Sequence, residues 1–169
     1  MEHFEEYCEF NLLLLEDKNI LIVKGQNSIW FFNVSENYRL LNFYEENERF
    51  SEFPSIDGCD EDKIISIYNG ECLKVISMTE NKVLKMVKAI YKLDYNNFRR
   101  IKVIREKNII ILGGKYDHIY SIIQILRLDN LETIQTIKLP KYESFPRIYL
   151  LKNDLVATTF GSGLKLWYI

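Results

Sequence analysis

Few side chains in this sequence have the type and spacing needed for acid–base chemistry. The chain contains two histidines, His3 and His118. His118 directly follows Asp117 in the segment KYDHIY, and a carboxylate next to an imidazole can act as an acid–base pair. Catalysis needs a positioned nucleophile, base or metal, and the sequence offers few candidates. We therefore interpret Asp117 and His118 as polar residues of a turn and predict a non-catalytic protein.

The segment DGCDED, from Asp57 to Asp62, concentrates carboxylates that could attract Ca²⁺. It lacks the twelve-residue ligand spacing of a helix-flanked calcium loop, so we predict a solvated hairpin turn and no metal site. The three cysteines, Cys8, Cys59 and Cys72, show no Cys-x-x-Cys spacing. This pattern predicts reduced thiols rather than a disulfide framework or a zinc site.

Two further patterns bear on phosphate or nucleic-acid binding. The glycine-rich segments GGKYD and FGSG do not match a phosphate-binding loop, so no cofactor is predicted. The segment NNFRRIKVIREK is the most basic part of the chain. Strand alternation distributes its basic residues over both faces, which argues against a nucleic-acid patch. The basic side chains are Arg99, Arg100, Lys102, Arg105 and Lys107.

Composition indicates a soluble globular protein. The 169 residues are 47% hydrophobic and 14% aromatic, with a net charge of −2. Apolar runs such as LLLL are far below the ~20 residues of a membrane helix. The N-terminal segment MEHFEEYCEF carries acids where a signal peptide carries basic residues, so a cytoplasmic protein without a membrane span is predicted.

A weak internal repeat organises the whole sequence. The segments SIWFFN, CLKVIS, IIQILR and GLKLWY share one apolar pattern and recur at roughly 45-residue intervals. Each follows an apolar run that ends in a glycine or polar turn, and that run follows a charged turn and another apolar segment. Each unit therefore contains three strands in hairpin order, and a fourth follows in the first three units. The segment ENKVLKMVKAIYKL has near-helical spacing, but the repeat register favours a strand there.

Four short antiparallel strands in each repeat predict an all-β fold made of β-propeller blades. We expect about four blades, with approximate boundaries at residues 8–49, 50–96, 97–142 and 143–169. The last unit ends after its third strand, LKLWYI, where we expect Leu166 and Trp167 to be buried.

The glycine turn followed by LKLWY resembles the WD40 family of propeller repeats, whose units end an apolar strand in Trp-Asp. Only Trp167 matches that tryptophan, with Phe32, Ile76 and Leu126 in the equivalent positions. No unit opens with a Gly-His pair, and aspartate is missing after the bulky position. The departures predict blades held by apolar packing rather than by the family's hydrogen-bond network of His, Asp, Ser and Trp.

WD40-type rings usually have about seven blades and need on the order of 300 residues. We therefore expect a partial ring, completed by another chain, a second copy or further sequence. The alternatives are a self-closed four-bladed ring, in which MEHFEEYCEF supplies the missing outer strand, and another all-β fold.

The resemblance and the lack of a reactive constellation together predict a non-catalytic scaffold that binds other proteins. Its partners are expected to be proteins, including a second propeller half or a second copy. The alternatives are a propeller-type hydrolase or lyase and a nucleic-acid-associated propeller. The candidate interaction residues lie in turns expected to share one face: Gln26, Asn27, Asn69, Glu71, Tyr116, Asp117, His118 and Ser162.

Overall fold

A computed structural model describes most of the chain. The described residues are 11–25, 28–45, 55–68, 72–88, 97–116, 120–139, 147–151, 155–160 and 163–168. For residues 97–99, 115–116, 120 and 160 only the backbone is described. They form four antiparallel sheets in which strands adjacent in sequence are adjacent in space.

The first two sheets each have four strands. The first sheet consists of β1 (Asn11–Leu15), β2 (Ile20–Lys24), β3 (Ser28–Asn33) and β4 (Arg39–Glu45). The second consists of β5 (Ile56–Gly58), β6 (Lys63–Tyr68), β7 (Cys72–Ser77) and β8 (Lys82–Lys88). The segment with near-helical spacing therefore begins with a strand, as the repeat register predicted.

The third sheet has four strands, and the described part of the fourth sheet has three. The third consists of β9 (Asn97–Ile104), β10 (Ile109–Tyr116), β11 (Tyr120–Arg127) and β12 (Thr133–Leu139). The fourth consists of β13 (Arg147–Leu150), β14 (Leu155–Phe160) and β15 (Gly163–Tyr168). The segment MEHFEEYCEF, suggested as an outer strand for this sheet, lies outside the described residues.

The charged turns between the first two strands of a sheet have a local cause. In the first and third sheets these turns are short 3-10 helices, Glu16–Lys18 and Arg105–Lys107. Asn19 and Asn108 follow them with φ of 53° in both cases. Asparagine tolerates this left-handed conformation better than most residues. The sequences EDKN and REKN therefore form turns of the same conformation in the two sheets.

The sheets pack face to face in chain order. We call the face of a sheet that packs against the following sheet its forward face, and the face that packs against the preceding sheet its backward face. In the first sheet, Leu13, Ile22 and Phe31 are aligned across three strands on the forward face. They belong to one apolar cluster with Ile64 and Ile76 on the backward face of the second sheet.

The same arrangement recurs at the next two junctions, where apolar side chains of a forward face meet those of the following backward face. The second and third sheets pack through Ile65, Val75, Ile110 and Leu126. The third and fourth pack through Ile111, Ile125, Val156 and Trp167. Sheets twisted and stacked in this way are the blades of a β-propeller, so the predicted all-β propeller fold with four blades is confirmed.

The outermost faces of the series are apolar and exposed. The backward face of the first sheet carries two aligned rows, Leu12–Val23–Trp30–Phe43 and Leu14–Leu21–Phe32–Leu40. Leu12 is 65% exposed and Leu14 is 49% exposed. On the forward face of the fourth sheet, Leu164 is 64% exposed and Leu166 is 52% exposed. The expectation that Leu166 is buried was therefore wrong, because its face has no sheet packed against it among the described residues.

Candidate functional site

The predicted interaction residues belong to the turns between the second and third strands of each sheet. We call the end of the sheets that carries these turns the turn edge. Tyr68 pairs with Cys72, Tyr116 with Tyr120, and Phe160 with Gly163 at the strand ends that flank three of the turns. The corresponding turn of the first sheet is closed by a hydrogen bond of 2.9 Å from the Gly25 amide to the Ser28 carbonyl.

Most of the predicted residues themselves lie outside the described part of the chain. Tyr116 is the last residue of β10, and its backbone alone is described. The others outside the described residues are Gln26, Asn27, Asn69, Glu71, Asp117, His118 and Ser162. Their grouping on one surface stays a prediction.

A buried lysine lies directly beneath the turn edge. Lys24 is the last residue of β2 and is fully buried between the first and second sheets. Its ammonium group donates to Ser66 Oγ and, at 3.1 Å, to the carbonyl oxygen of Ile67. A buried ammonium group needs such acceptors, because it has lost its hydration shell. This contact fixes the end of β2, and thus the start of the turn that carries Gln26 and Asn27, against the second sheet.

A second lysine is held at the same junction. Lys74 is buried in β7, and its ammonium nitrogen lies 3.4 Å from the centroid of the Tyr68 ring. A cation over an aromatic face is attracted by the ring quadrupole. Sequence reasoning missed both lysines. For Lys24 a signal existed, because alternation in ILIVKG places it on the same strand face as Ile22.

Asp57 joins the second sheet to the third. It is only 7% exposed, so the prediction that all of DGCDED is a solvated turn was wrong for this residue. Asp57 Oδ2 accepts a hydrogen bond of 2.7 Å from the buried amide of Val103 and lies 3.2 Å from Lys102 Nζ. Ser55 Oγ accepts a bond of 3.1 Å from the amide of Ile101 in the same strand. These oxygens satisfy backbone donors of β9 that face another sheet instead of a neighbouring strand.

The other carboxylates of that segment organise turns at the edge opposite the turn edge. Asp62 accepts hydrogen bonds from Ser77 Oγ at 2.6 Å and from the amide of Thr79 at 2.9 Å. Partial desolvation acts to raise the pKa of Asp62, but these hydrogen bonds to the ionised form outweigh it and the pKa is lowered. Asp60 likewise caps its own turn and forms an ion pair with Lys63. These acids therefore serve turn structure.

Cys59 lies between Asp57 and Asp60 in the sequence and is buried. Burial, with smaller contributions from Asp60 and Asp57, raises the pKa of its thiol to about 12. A thiol is a nucleophile only as the thiolate, so Cys59 is protonated and unreactive at neutral pH. In the described part of the chain no group of three or more His, Cys, Asp or Glu side chains is placed to hold a metal ion.

A cavity of about 180 Å³ lies between the third and fourth sheets. Its described lining is mainly aliphatic and aromatic, and it includes no carboxylate or imidazole. The lining residues are Ile111, Ile123, Ile125, Gln135, Ile137, Val156, Thr158, Trp167 and Tyr168. The cavity is therefore a gap in the apolar packing between the third sheet and the fourth sheet.

Trp167 makes a polar contact beside this cavity. Its indole nitrogen donates a hydrogen bond of 2.8 Å to Oγ1 of the buried Thr158 on the neighbouring strand. The sequence predicted blades held by apolar packing in place of the WD40 hydrogen-bond network, and this bond is an exception. The one repeat that retains the tryptophan also retains a hydroxyl partner for it.

Comparisons with known proteins show the fold. No protein-family model and no curated protein matches the sequence. The computationally designed protein Ika4 is similar over 90% of this chain and 86% of its own, with 15% identity and a TM-score of 0.61. No helix in the described residues is long and apolar enough to cross a membrane.

Two larger solved structures are also similar to this chain. The WD40 β-propeller domain of Doa1 matches 90% of this chain with 16% identity and a TM-score of 0.66. KlHsv2 with its loop 6CD replaced by a Gly-Ser linker matches 90% with 16% identity and a TM-score of 0.59. This chain spans 47% of the first and 45% of the second. Blade order, sheet packing and these similarities together establish a β-propeller fold that is similar to a WD40 propeller domain.

Proposed function

We propose that this protein is a non-catalytic scaffold that binds other proteins through the turn edge of its WD40-like blades. The observation that carries the proposal is the support beneath these turns. Lys24 and Lys74 are buried at the junction of the first two sheets, close to the strand ends that lead into the turns. Rigid strands that present variable polar loops are a common basis for recognition. Cys59 and Cys72 are not joined in a disulfide, which fits the reducing cytoplasm that we propose as the compartment.

The described basic residues favour a protein partner over nucleic acid. Lys102 lies 3.2 Å from Asp57 at the junction of two sheets. The Arg105 guanidinium lies 4.0 Å from Asp17 and within 3.5 Å of the Gly58 carbonyl. These two partly exposed cations are already paired with groups of the protein, whereas phosphate binding needs cations available together on one face.

The interaction face proposed comprises Gln26, Asn27, Asn69, Glu71, Tyr116, Asp117, His118 and Ser162. The test compares two charge-reversed double variants. Glu71→Arg with Asp117→Arg alters the turn edge, and Glu61→Arg with Glu106→Arg makes the same charge change in exposed turns at the opposite edge. Proteins retained from native lysate by the wild-type chain are identified by mass spectrometry, and the binding of one purified partner is then measured.

We expect the turn-edge variant to lose at least about 10-fold in affinity, because charge reversal at an interface both removes contacts and adds repulsion. The opposite-edge variant should bind like the wild type, and circular dichroism should show both variants folded. Equal loss in both variants, or failure of the folded wild type to retain any protein, contradicts the proposal.

A further inference from the structure

The two exposed end faces are the complementary halves of one type of junction. Within the chain, the forward faces of the first three sheets pack against the backward faces of the next three. The backward face of the first sheet and the forward face of the fourth sheet have no sheet packed against them among the described residues. Leu12, Phe43, Leu166 and Tyr168 are all exposed there. The fourth-sheet forward face and the first-sheet backward face are thus both apolar, like the pairs of faces that pack together within the chain.

One chain does not bring these two faces together, because both remain exposed in its structure. The similar solved structures contain about twice as much chain. The four blades match 47% of the Doa1 WD40 domain chain and 45% of the KlHsv2 chain. About as much chain again makes up the rest of the Doa1 propeller domain. A second copy supplies that amount and also supplies both missing faces.

We propose that two copies of this chain associate head to tail into a two-fold symmetric eight-bladed ring. The forward face of each fourth sheet packs against the backward face of the other copy's first sheet. The apolar character of both faces fits this arrangement. The first-sheet face consists of Leu12, Val23, Trp30, Phe43, Leu14, Leu21, Phe32 and Leu40, and the fourth-sheet face includes Tyr149, Leu164, Leu166 and Tyr168. In a head-to-tail ring of two copies, each end face of one copy is covered by an end face of the other.

The solution mass of the 169-residue chain tests the proposal, measured by analytical ultracentrifugation at micromolar concentration. We expect twice the mass of the 20.2 kDa chain. Leu12→Glu and Leu166→Lys each place a charge in both junctions of the dimer. Because burying a charge on an apolar surface is costly, each variant should dimerise at least about 100-fold more weakly. Both side chains are largely exposed in the single chain, so the variants should stay folded.

Mixing the two variants distinguishes head-to-tail pairing from any other dimer. A Leu12→Glu copy retains a normal fourth sheet and a Leu166→Lys copy retains a normal first sheet, so their mixture contains one unaltered junction. The mixture should regain the dimer mass. Ile134→Glu, at a 53% exposed apolar residue of the third sheet, is the matched control and should remain dimeric.

Four results overturn the proposal. They are a monomeric wild type, dimers that survive Leu166→Lys, a mixture that stays monomeric, and a control that dissociates as the test variants do. Dimers that survive Leu166→Lys are expected if the backward faces of two first sheets pair with each other instead.

Discussion

The contact of Asp57 with β9 offers the sharpest test of how the sheets are joined. Replacing Asp57 with alanine leaves the amide of Val103 without its acceptor at a position that is 7% exposed. An unsatisfied buried donor costs about 1–3 kcal/mol. The Lys102 pair adds about 0–1 kcal/mol, because the lysine side chain is 37% exposed and screened by water. We therefore expect Asp57→Ala to lower the free energy of unfolding by about 1–4 kcal/mol.

Urea unfolding followed by circular dichroism measures this change. Asp57→Asn keeps an oxygen that can accept from the Val103 amide, so it should cost only about 1 kcal/mol. Glu61→Ala removes an exposed acid from the neighbouring turn and should change stability by less than about 0.5 kcal/mol. If Asp57→Ala is as stable as Glu61→Ala, the carboxylate does not join the two sheets and our reasoning about this junction is wrong.

Three further predictions concern single side chains. Cys59 should react with a thiol reagent at neutral pH far more slowly than Cys72, and the two rates should converge in urea, since burial holds the Cys59 pKa at about 12. Asp62 has a lowered pKa in the folded protein, so its contribution to stability is present above the pKa of the unfolded chain and is lost as the pH falls through the folded value. Asp62→Asn should therefore flatten stability measured between about pH 5 and pH 2, and an unchanged profile would count against those hydrogen bonds. Trp167→Phe removes the bond to Thr158 and should cost about 1–2 kcal/mol in urea unfolding, whereas no loss would show that the bond is dispensable.

Much of the fold could be predicted from the sequence because strand alternation and turn chemistry are local. The repeated pattern at Phe32, Ile76, Leu126 and Trp167 indicated four blades, since each of these positions lies on the backward face of its sheet. Alternation tells which residues share a face. It does not tell whether another sheet covers that face, and for this reason Leu166 was expected to be buried.

The polar contacts between sheets were harder to predict. Asp57 stands in a run of acids that resembles a solvated turn, and its partner Val103 is 46 residues away in the sequence. Lys24 ends an apolar strand, where a lysine ordinarily extends into water. In both cases the contacts are made with groups of another repeat, including a backbone group, and a single sequence carries no signal of which repeats lie side by side. The turn residues proposed for partner binding lie outside the described part of the chain, so that interpretation stays a prediction.

The serial packing of the sheets has a consequence for how the protein loses structure. The second and third sheets have both faces covered by neighbours, whereas among the described residues the first and fourth sheets are covered on one face only. In a nearest-neighbour description of a repeat protein, each covered face adds one coupling term to the stability of its unit. A single chain should therefore fray from its ends, with the slowest amide hydrogen exchange in the two central sheets. Closing the series into a ring gives every unit two couplings, so the gradient of exchange rates along the chain would flatten.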